Sequence, residues 1–120
     1  MVRISLFVAG FALWAVCSFL AAGPHGVREA WDWPGYWMFG VPLLLLTQLA
    51  ATPWLKEPPA RQPLWTIAGH VVAMIAIHPA GTNLGLLPVA MLLLALPAYG
   101  ALYLAGMLGR MLFARQMRGA

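Results

Sequence analysis

The hydrophobic positions of this chain form four long runs separated by short polar segments. The runs extend over Val2 to Ala22, Gly35 to Leu55, Pro63 to His78 and Leu84 to about Gly109. Each is close to the roughly 17–25 residues that a helix needs to cross a bilayer. The pattern therefore predicts an all-α membrane protein, with four transmembrane helices and short loops in a single domain over residues 1–120.

The fourth run is too long for a straight, untilted span. At the helical rise it extends over roughly 39 Å, which exceeds the hydrocarbon thickness of about 30 Å. Pro88 and Pro97 predict a long, proline-bent helix, and a break at Pro97 into two half-helices is the alternative. The tail from Met107 to Arg118 mixes arginines with apolar residues, and we expect it to follow the cytoplasmic surface.

The second run begins beside a cluster of aromatic residues and contains a proline. Indole and phenol rings favour the head-group level of a membrane, so the cluster indicates the outer boundary of the bilayer. Pro42, a few residues further on, predicts a kink in the helix. The aromatic residues are Trp31, Trp33, Tyr36 and Trp37.

The basic residues indicate how the four spans are oriented. Four spans put both termini on the same side, and all but one of the basic residues fall on that side. Arg28 alone lies opposite. The positive-inside rule then predicts cytoplasmic termini in a bacterial-type inner membrane. The residues on the crowded side are Arg3, Lys56, Arg61, Arg110, Arg115 and Arg118.

Composition narrows the expected partners. The chain is 62% hydrophobic and 8% charged, so it cannot cover an apolar core with polar surface, and lipid is its expected solvent. Nucleic acid is not an expected partner, because no basic stripe exists outside the hydrophobic runs. The expected partners are the lipid bilayer and another membrane protein or a second copy of the chain. The single cysteine, Cys17, cannot form an internal disulfide.

His70 is the most informative polar position within the runs. An ionisable side chain about two turns inside a membrane helix is costly unless it is neutral, paired or facing a polar cavity. Thr66 lies one turn before it, and Thr47 and Gln48 lie at a similar depth on the second helix. We expect these polar groups to satisfy His70 in an interhelical clamp. A proton- or solute-handling site is the alternative.

Small residues recur along the predicted helices and indicate seams where helices approach closely. We expect these seams to pack within one chain. On the first helix they include Gly10 and Ser18, on the third Thr66, Gly69, Ala73 and Ala76, and on the fourth Ala101, Ala105 and Gly109.

Metal and catalytic chemistry find little support in the sequence. His25 and His78, with Glu29 and Asp32, form a candidate metal site on the outer side, although solvated loop residues explain them equally well. No spacing fixes them together, and we expect no cofactor. The membrane runs contain no Asp or Glu and no nucleophile has a visible base, so we do not expect an enzyme.

Three functions fit these observations. The first is an accessory or scaffold subunit of an inner-membrane assembly, indicated by uncharged spans and loops too short for another domain. The second is a small-solute or ion transporter that works as a homodimer, with a polar site around His70 and Gln48. The third is a periplasm-facing metal-binding membrane protein.

Overall fold

In a computed structural model of the chain, residues 2–22, 33–77 and 87–118 are described, and all regular secondary structure in these ranges is helical. A π-helical turn precedes α2 and a 3-10 turn follows it. The elements in order are α1 (Val2–Ala22), the π-helical turn (Tyr36–Gly40), α2 (Val41–Ala51), the 3-10 turn (Thr52–Trp54), α3 (Gln62–Ala76) and α4 (Leu87–Arg118).

The helices follow the predicted runs closely. The α1 helix has the predicted bounds, and α3 begins one residue early and ends at Ala76. The second run is helical from Tyr36 to Trp54 but changes type twice. Hydrophobic runs therefore locate the helices, whereas their ends and local windings depend on individual residues.

The first change of helix type lies beside Pro42, where a kink is predicted. Pro42 has no amide hydrogen, and its ring conflicts with the carbonyl four residues earlier in a regular α-helix. Here the preceding turn is wider, and the amide of Val41 donates to the carbonyl oxygen of Tyr36, five residues back. The local distortion thus takes the form of a π-helical turn.

The α4 helix is continuous from Leu87 to Arg118 and contains Pro97 within it. The alternative of two half-helices is therefore wrong, and the tail from residue 107 onwards is a continuation of α4. A proline removes one hydrogen bond, and neighbouring helices and local adjustment accommodate this in apolar surroundings. At 32 residues the helix is roughly 48 Å long.

In the part of the chain that the structure describes, two helices are long and apolar enough to cross a membrane. Their windows are Arg3–Leu20 and Leu92–Gln116, of which only 22% and 17% of the residues are buried. The α3 helix is apolar but has 15 residues, a length of roughly 22 Å. The two long helices are therefore apolar without being enclosed by the rest of the chain.

Glycines bring α1 and α3 into backbone contact. A Cβ atom added at Gly10 would overlap the carbonyl oxygen of Thr66, and one added at Gly69 would overlap the carbonyl oxygen of Phe7. Ala73, one turn beyond Gly69, is fully buried. The predicted small-residue seam is thus confirmed for these positions, and it packs within one chain. Ala76 is exposed and lies outside the seam.

A second close contact joins α4 to α2 and the 3-10 turn. A Cβ atom added at Gly109 would overlap the carbonyl oxygen of Leu49, and one added at Gly106 would crowd the hydroxyl of Thr52. This confirms the predicted close approach at Gly109. Ala101, predicted to share the seam, is exposed.

The most buried apolar cluster lies where α1, α3 and the π-helical turn meet. Trp14 is 1% exposed, and its ring meets that of Tyr36 edge to face, with centroids 5.7 Å apart. Cys17, Ala73 and Met74 complete the buried cluster. Tyr36 begins the π-helical turn, and Ala73 and Met74 lie in the last turn of α3, so the cluster sits near one end of these elements.

Candidate functional site

Buried polar side chains form two separate sets of contacts between helices. The first, here termed the Gln48 bridge, consists of Gln48, Thr52 and Thr66. The second, termed the His70 clamp, consists of His70, Tyr36 and the carbonyl of Gly10. Between them they tie α3 to both α2 and α1.

The Gln48 bridge is almost completely enclosed. Gln48 and Thr66 are each 1% exposed. The Thr66 hydroxyl donates to Gln48 Oε1 at 2.9 Å, and Gln48 Nε2 donates to the Thr52 hydroxyl oxygen at 3.1 Å. That hydroxyl in turn donates to the backbone carbonyl of Gln48 at 2.7 Å. Gln48 and Thr52 present one face of the second helical segment because they are four residues apart.

The His70 clamp fixes the state of the imidazole. Nδ1 lies 3.1 Å from the carbonyl oxygen of Gly10, which only accepts, so Nδ1 carries a proton. In the neutral ring Nε2 is then an acceptor, and the Tyr36 hydroxyl donates to it at 2.8 Å. The Trp14 ring packs edge-on against the imidazole, with centroids 5.0 Å apart. Both ring nitrogens are thus used within the chain.

The four polar residues that were predicted to form one site do not all contact one another. Gln48 does meet Thr66, as expected of polar groups at one depth. His70, however, is not paired with Gln48, because its two nitrogens bond to Tyr36 and Gly10 instead. Thr47 lies on another face, where its hydroxyl donates to the carbonyl of Leu43 in its own helix at 2.8 Å.

Three contributors were not identified as site residues from the sequence. Tyr36 was assigned to the aromatic belt, and Gly10 was noted only as a small residue. Thr52 is not among the residues predicted from the sequence. Its spacing of four residues from Gln48 is a signal that could have indicated its role. Residue spacing does not indicate the partners of His70, because these partners depend on how the helices pack.

Two substitutions of His70 should distinguish how much each of its two hydrogen bonds contributes to stability. Asparagine places an amide nitrogen near the position of Nδ1 and keeps the bond to Gly10, whereas alanine loses both bonds. We expect His70→Ala to lower the free energy of unfolding by about 2–4 kcal/mol and His70→Asn by about half of that. Unfolding in mixed micelles, followed by circular dichroism, measures this order. Equal losses for the two variants would contradict the proposed bond to Gly10.

A cavity of about 280 Å³ adjoins both polar sets. Its walls come mainly from α2, α3 and the Pro97 region of α4, with Trp14 and the π-helical turn at one side. Tyr36, Thr66 and His70 are among the lining residues, and the rest are almost all apolar. The volume is near the lower end of the roughly 300–1,000 Å³ found for small-molecule sites.

A charged cluster lies at the end of the helices where α2 is connected to α3. Arg3 Nε lies 2.6 Å from Glu57 Oε1, and Trp65 Nε1 donates to Glu57 Oε2 at 3.0 Å. Arg110 donates to the backbone carbonyl of Glu57 at 3.0 Å. The start of α1, this connection and the later part of α4 therefore meet at one end.

The charge and the hydrogen-bonding capacity of Glu57 make separable contributions. Glu57→Gln removes the ion pair with the 60% exposed Arg3 side chain but keeps an acceptor for Trp65. We expect a loss of about 0.2–1 kcal/mol for Glu57→Gln and about 1–2 kcal/mol for Glu57→Ala. Unfolding at low and high salt provides the measurement. A glutamine variant as unstable as the alanine variant would contradict this division.

The candidate metal ligands His25 and His78, with Glu29 and Asp32, lie outside the described residues. Within the described ranges, no group of three or more His, Cys, Asp or Glu side chains is suitably placed to hold a metal ion.

Comparisons with known proteins give no relative on which to base a function: no protein-family model, curated protein or solved structure matches the chain.

Proposed function

We propose that this chain is a four-span protein of a bacterial-type inner membrane that serves as an accessory or scaffold subunit of a membrane assembly. In this proposal α1, the segment from Tyr36 to Trp54, α3 and α4 all cross the bilayer. Both termini are cytoplasmic. The proposal rests on the exposed apolar surface, the charge distribution and the use of the buried polar groups.

The exposed surface supports a lipid or protein environment. Phe19 of α1 is 81% exposed, and Leu92 and Leu96 of α4 are 70% and 77% exposed. Large contiguous apolar surfaces are rare on proteins that are surrounded by water. Membrane insertion explains why helices of this composition leave so much apolar area uncovered.

The charged cluster supports the proposed orientation. Arg3 and Arg110 both reach the segment around Glu57, next to Lys56. Basic side chains from three parts of the chain thus gather at one end of the helices. The positive-inside rule assigns such an end to the cytoplasm.

Thiol labelling tests this orientation. In a Cys17→Ser background, Lys56→Cys should react with a membrane-impermeant maleimide only after the inner membrane is permeabilised. Glu29→Cys, in the first loop, is the control that should react without permeabilisation. Labelling of Lys56→Cys from outside the intact inner membrane would overturn the orientation.

One observation carries the subunit proposal: the polar side chains of the Gln48 bridge and the His70 clamp bond within the chain, while large apolar side chains remain exposed. Both ring nitrogens of His70 and both ends of the Gln48 amide have partners inside the chain. Such contacts define a rigid helical unit. A rigid unit with uncovered apolar faces and short connections is suited to packing against other membrane helices.

Mild extraction tests the subunit proposal. The tagged chain, solubilised from its native membrane in digitonin, should migrate with a second polypeptide on native gels and form cross-links to it. A harsher detergent, which separates weakly held helices, is the control that should release the chain. Recovery only as a monomer in digitonin, without cross-links in the membrane, would overturn the proposal.

The homodimeric transporter is favoured less because His70 and Gln48 are occupied by internal bonds and the adjoining cavity is largely apolar. A solute or ion path needs polar groups that exchange partners. Self-association alone, together with flux into vesicles that His70→Ala abolishes, would favour the transporter over the subunit.

A further inference from the structure

The cavity beside the His70 clamp has features that restrict what it can hold. None of the described residues that line it is Asp, Glu, Lys or Arg. An ionised ligand would lose its hydration there without gaining a countercharge, which is costly in an apolar setting. The chemistry of the walls therefore favours a neutral molecule.

The hydrogen bonds around the cavity restrict the ligand further. The Tyr36 hydroxyl donates to His70, the His70 Nδ1–H donates to Gly10, and the Thr66 hydroxyl donates to Gln48. The donors of these three lining side chains are thus all engaged. Hydroxyl oxygens have two lone pairs, so Tyr36 and Thr66 retain capacity as acceptors. A ligand that pairs with them must donate a hydrogen bond.

The volume sets the size of the ligand. At about 30 Å³ for a water-sized unit, 280 Å³ corresponds to roughly nine or ten non-hydrogen atoms. This is enough for one aliphatic chain segment with a small head group. A phospholipid with two chains would extend well beyond this volume.

The position of Tyr36 fits such a site. Tyr36 is the first residue of the π-helical turn, a winding that is frequent at functional sites. Its hydroxyl is held by His70, whose ring is itself fixed by Gly10 and Trp14. The acceptor oxygen of Tyr36 is therefore oriented before any ligand arrives.

We propose that this cavity binds a neutral single-chain lipid whose hydroxyl head group donates a hydrogen bond to the Tyr36 oxygen. The apolar chain lies against α2 and the Pro97 region of α4. Binding of a lipid alcohol goes beyond the subunit role and does not rest on it, because ligand binding and co-purification are measured separately.

The test uses two isomeric probes and the full-length protein in nanodiscs. 1-Nonanol and methyl octyl ether have the same number of heavy atoms, but only the alcohol donates a hydrogen bond. Binding of each tritiated probe is measured against empty nanodiscs. One neutral hydrogen bond predicts that the alcohol binds about twofold to tenfold more tightly than the ether. Equal affinities on the unaltered protein would overturn the proposal.

Variants locate the binding. Tyr36→Phe removes the acceptor oxygen but also frees the acceptor nitrogen Nε2 of His70. The preference for the alcohol should therefore disappear when Tyr36→Phe is combined with His70→Leu, which removes both acceptors. Ala98→Phe, which fills the cavity from α4, should abolish binding of both probes. The control is Ala12→Phe on the exposed side of α1, which lies outside the lining and should bind both probes normally.

The proposal can still be decided if Tyr36→Phe, alone or combined with His70→Leu, does not fold. The unaltered protein with both probes and the variants Ala98→Phe and Ala12→Phe are then sufficient. Retention of alcohol binding by folded Ala98→Phe would overturn the assignment to this cavity. Loss of binding in both Ala98→Phe and Ala12→Phe would overturn the assignment as well, because the loss would then not depend on the cavity.

Discussion

Gly69→Leu is expected to separate α1 from α3 and to lower the free energy of unfolding by more than about 3 kcal/mol. Even the first carbon of the new side chain would overlap the backbone carbonyl of Phe7. Backbone atoms cannot change rotamer, so relief requires the two helices to move apart. This movement would also break the bond between His70 and Gly10 on the same contact face. The expected observation is early unfolding in a titration with denaturing detergent, followed by circular dichroism.

Gly100→Ala is the matched control for this prediction. A Cβ atom added at Gly100 in α4 would meet nothing within 4 Å. Alanine is favoured over glycine in a helix by about 0.5–1 kcal/mol, so this variant should be as stable as the unaltered protein or slightly more stable. A Gly69→Leu protein that unfolds together with Gly100→Ala would disprove the close contact between α1 and α3.

Gln48→Ala is expected to lower the free energy of unfolding by about 2–4 kcal/mol, as much as His70→Ala. The substitution removes both amide hydrogen bonds of a side chain that is 1% exposed, and it leaves a gap between α2 and α3. Gln48→Leu restores most of the volume but not the bonds, so it should lose only about 1–2 kcal/mol. The difference between the two variants measures the contribution of packing.

Thr47→Ala is the control for the Gln48 bridge. Among the described residues the Thr47 hydroxyl donates to the carbonyl of Leu43 in its own helix, so its removal should change stability by no more than about 0.5 kcal/mol. A large loss at Thr47, or none at Gln48→Ala, would contradict the separation of these two neighbours. Both are measured by the same unfolding titration.

These predictions distinguish structural from functional roles for the buried polar groups of the Gln48 bridge and the His70 clamp. If His70 and Gln48 only hold helices together, their variants should be less stable. Variant proteins that do fold should still associate with the partner polypeptide. The lipid-alcohol proposal assigns ligand contact to Tyr36 and only a positioning role to His70. Folded His70→Asn should therefore bind the alcohol more weakly than the unaltered protein, and Ala98→Phe should still abolish this binding.

The sequence by itself determined where the helices lie. Runs of apolar residues must be helical in lipid because each backbone amide needs an internal partner, and this requirement is local. The bounds of α1 follow directly from its run, and the spacing of Gly10 and Gly69 among small residues indicated close packing. Pro42 likewise predicted a local distortion, since its missing amide hydrogen is a property of the residue itself.

Only the tertiary structure decided which polar groups meet. The partners of His70, a tyrosine 34 residues away and a glycine carbonyl 60 residues away, depend on the rotation and offset of three helices. Hydropathy does not encode these quantities, because many rotations bury a similar apolar area. The same holds for the continuity of α4 through Pro97. It holds also for the cavity beside Pro97, because its walls come from several helices and no single helix defines it.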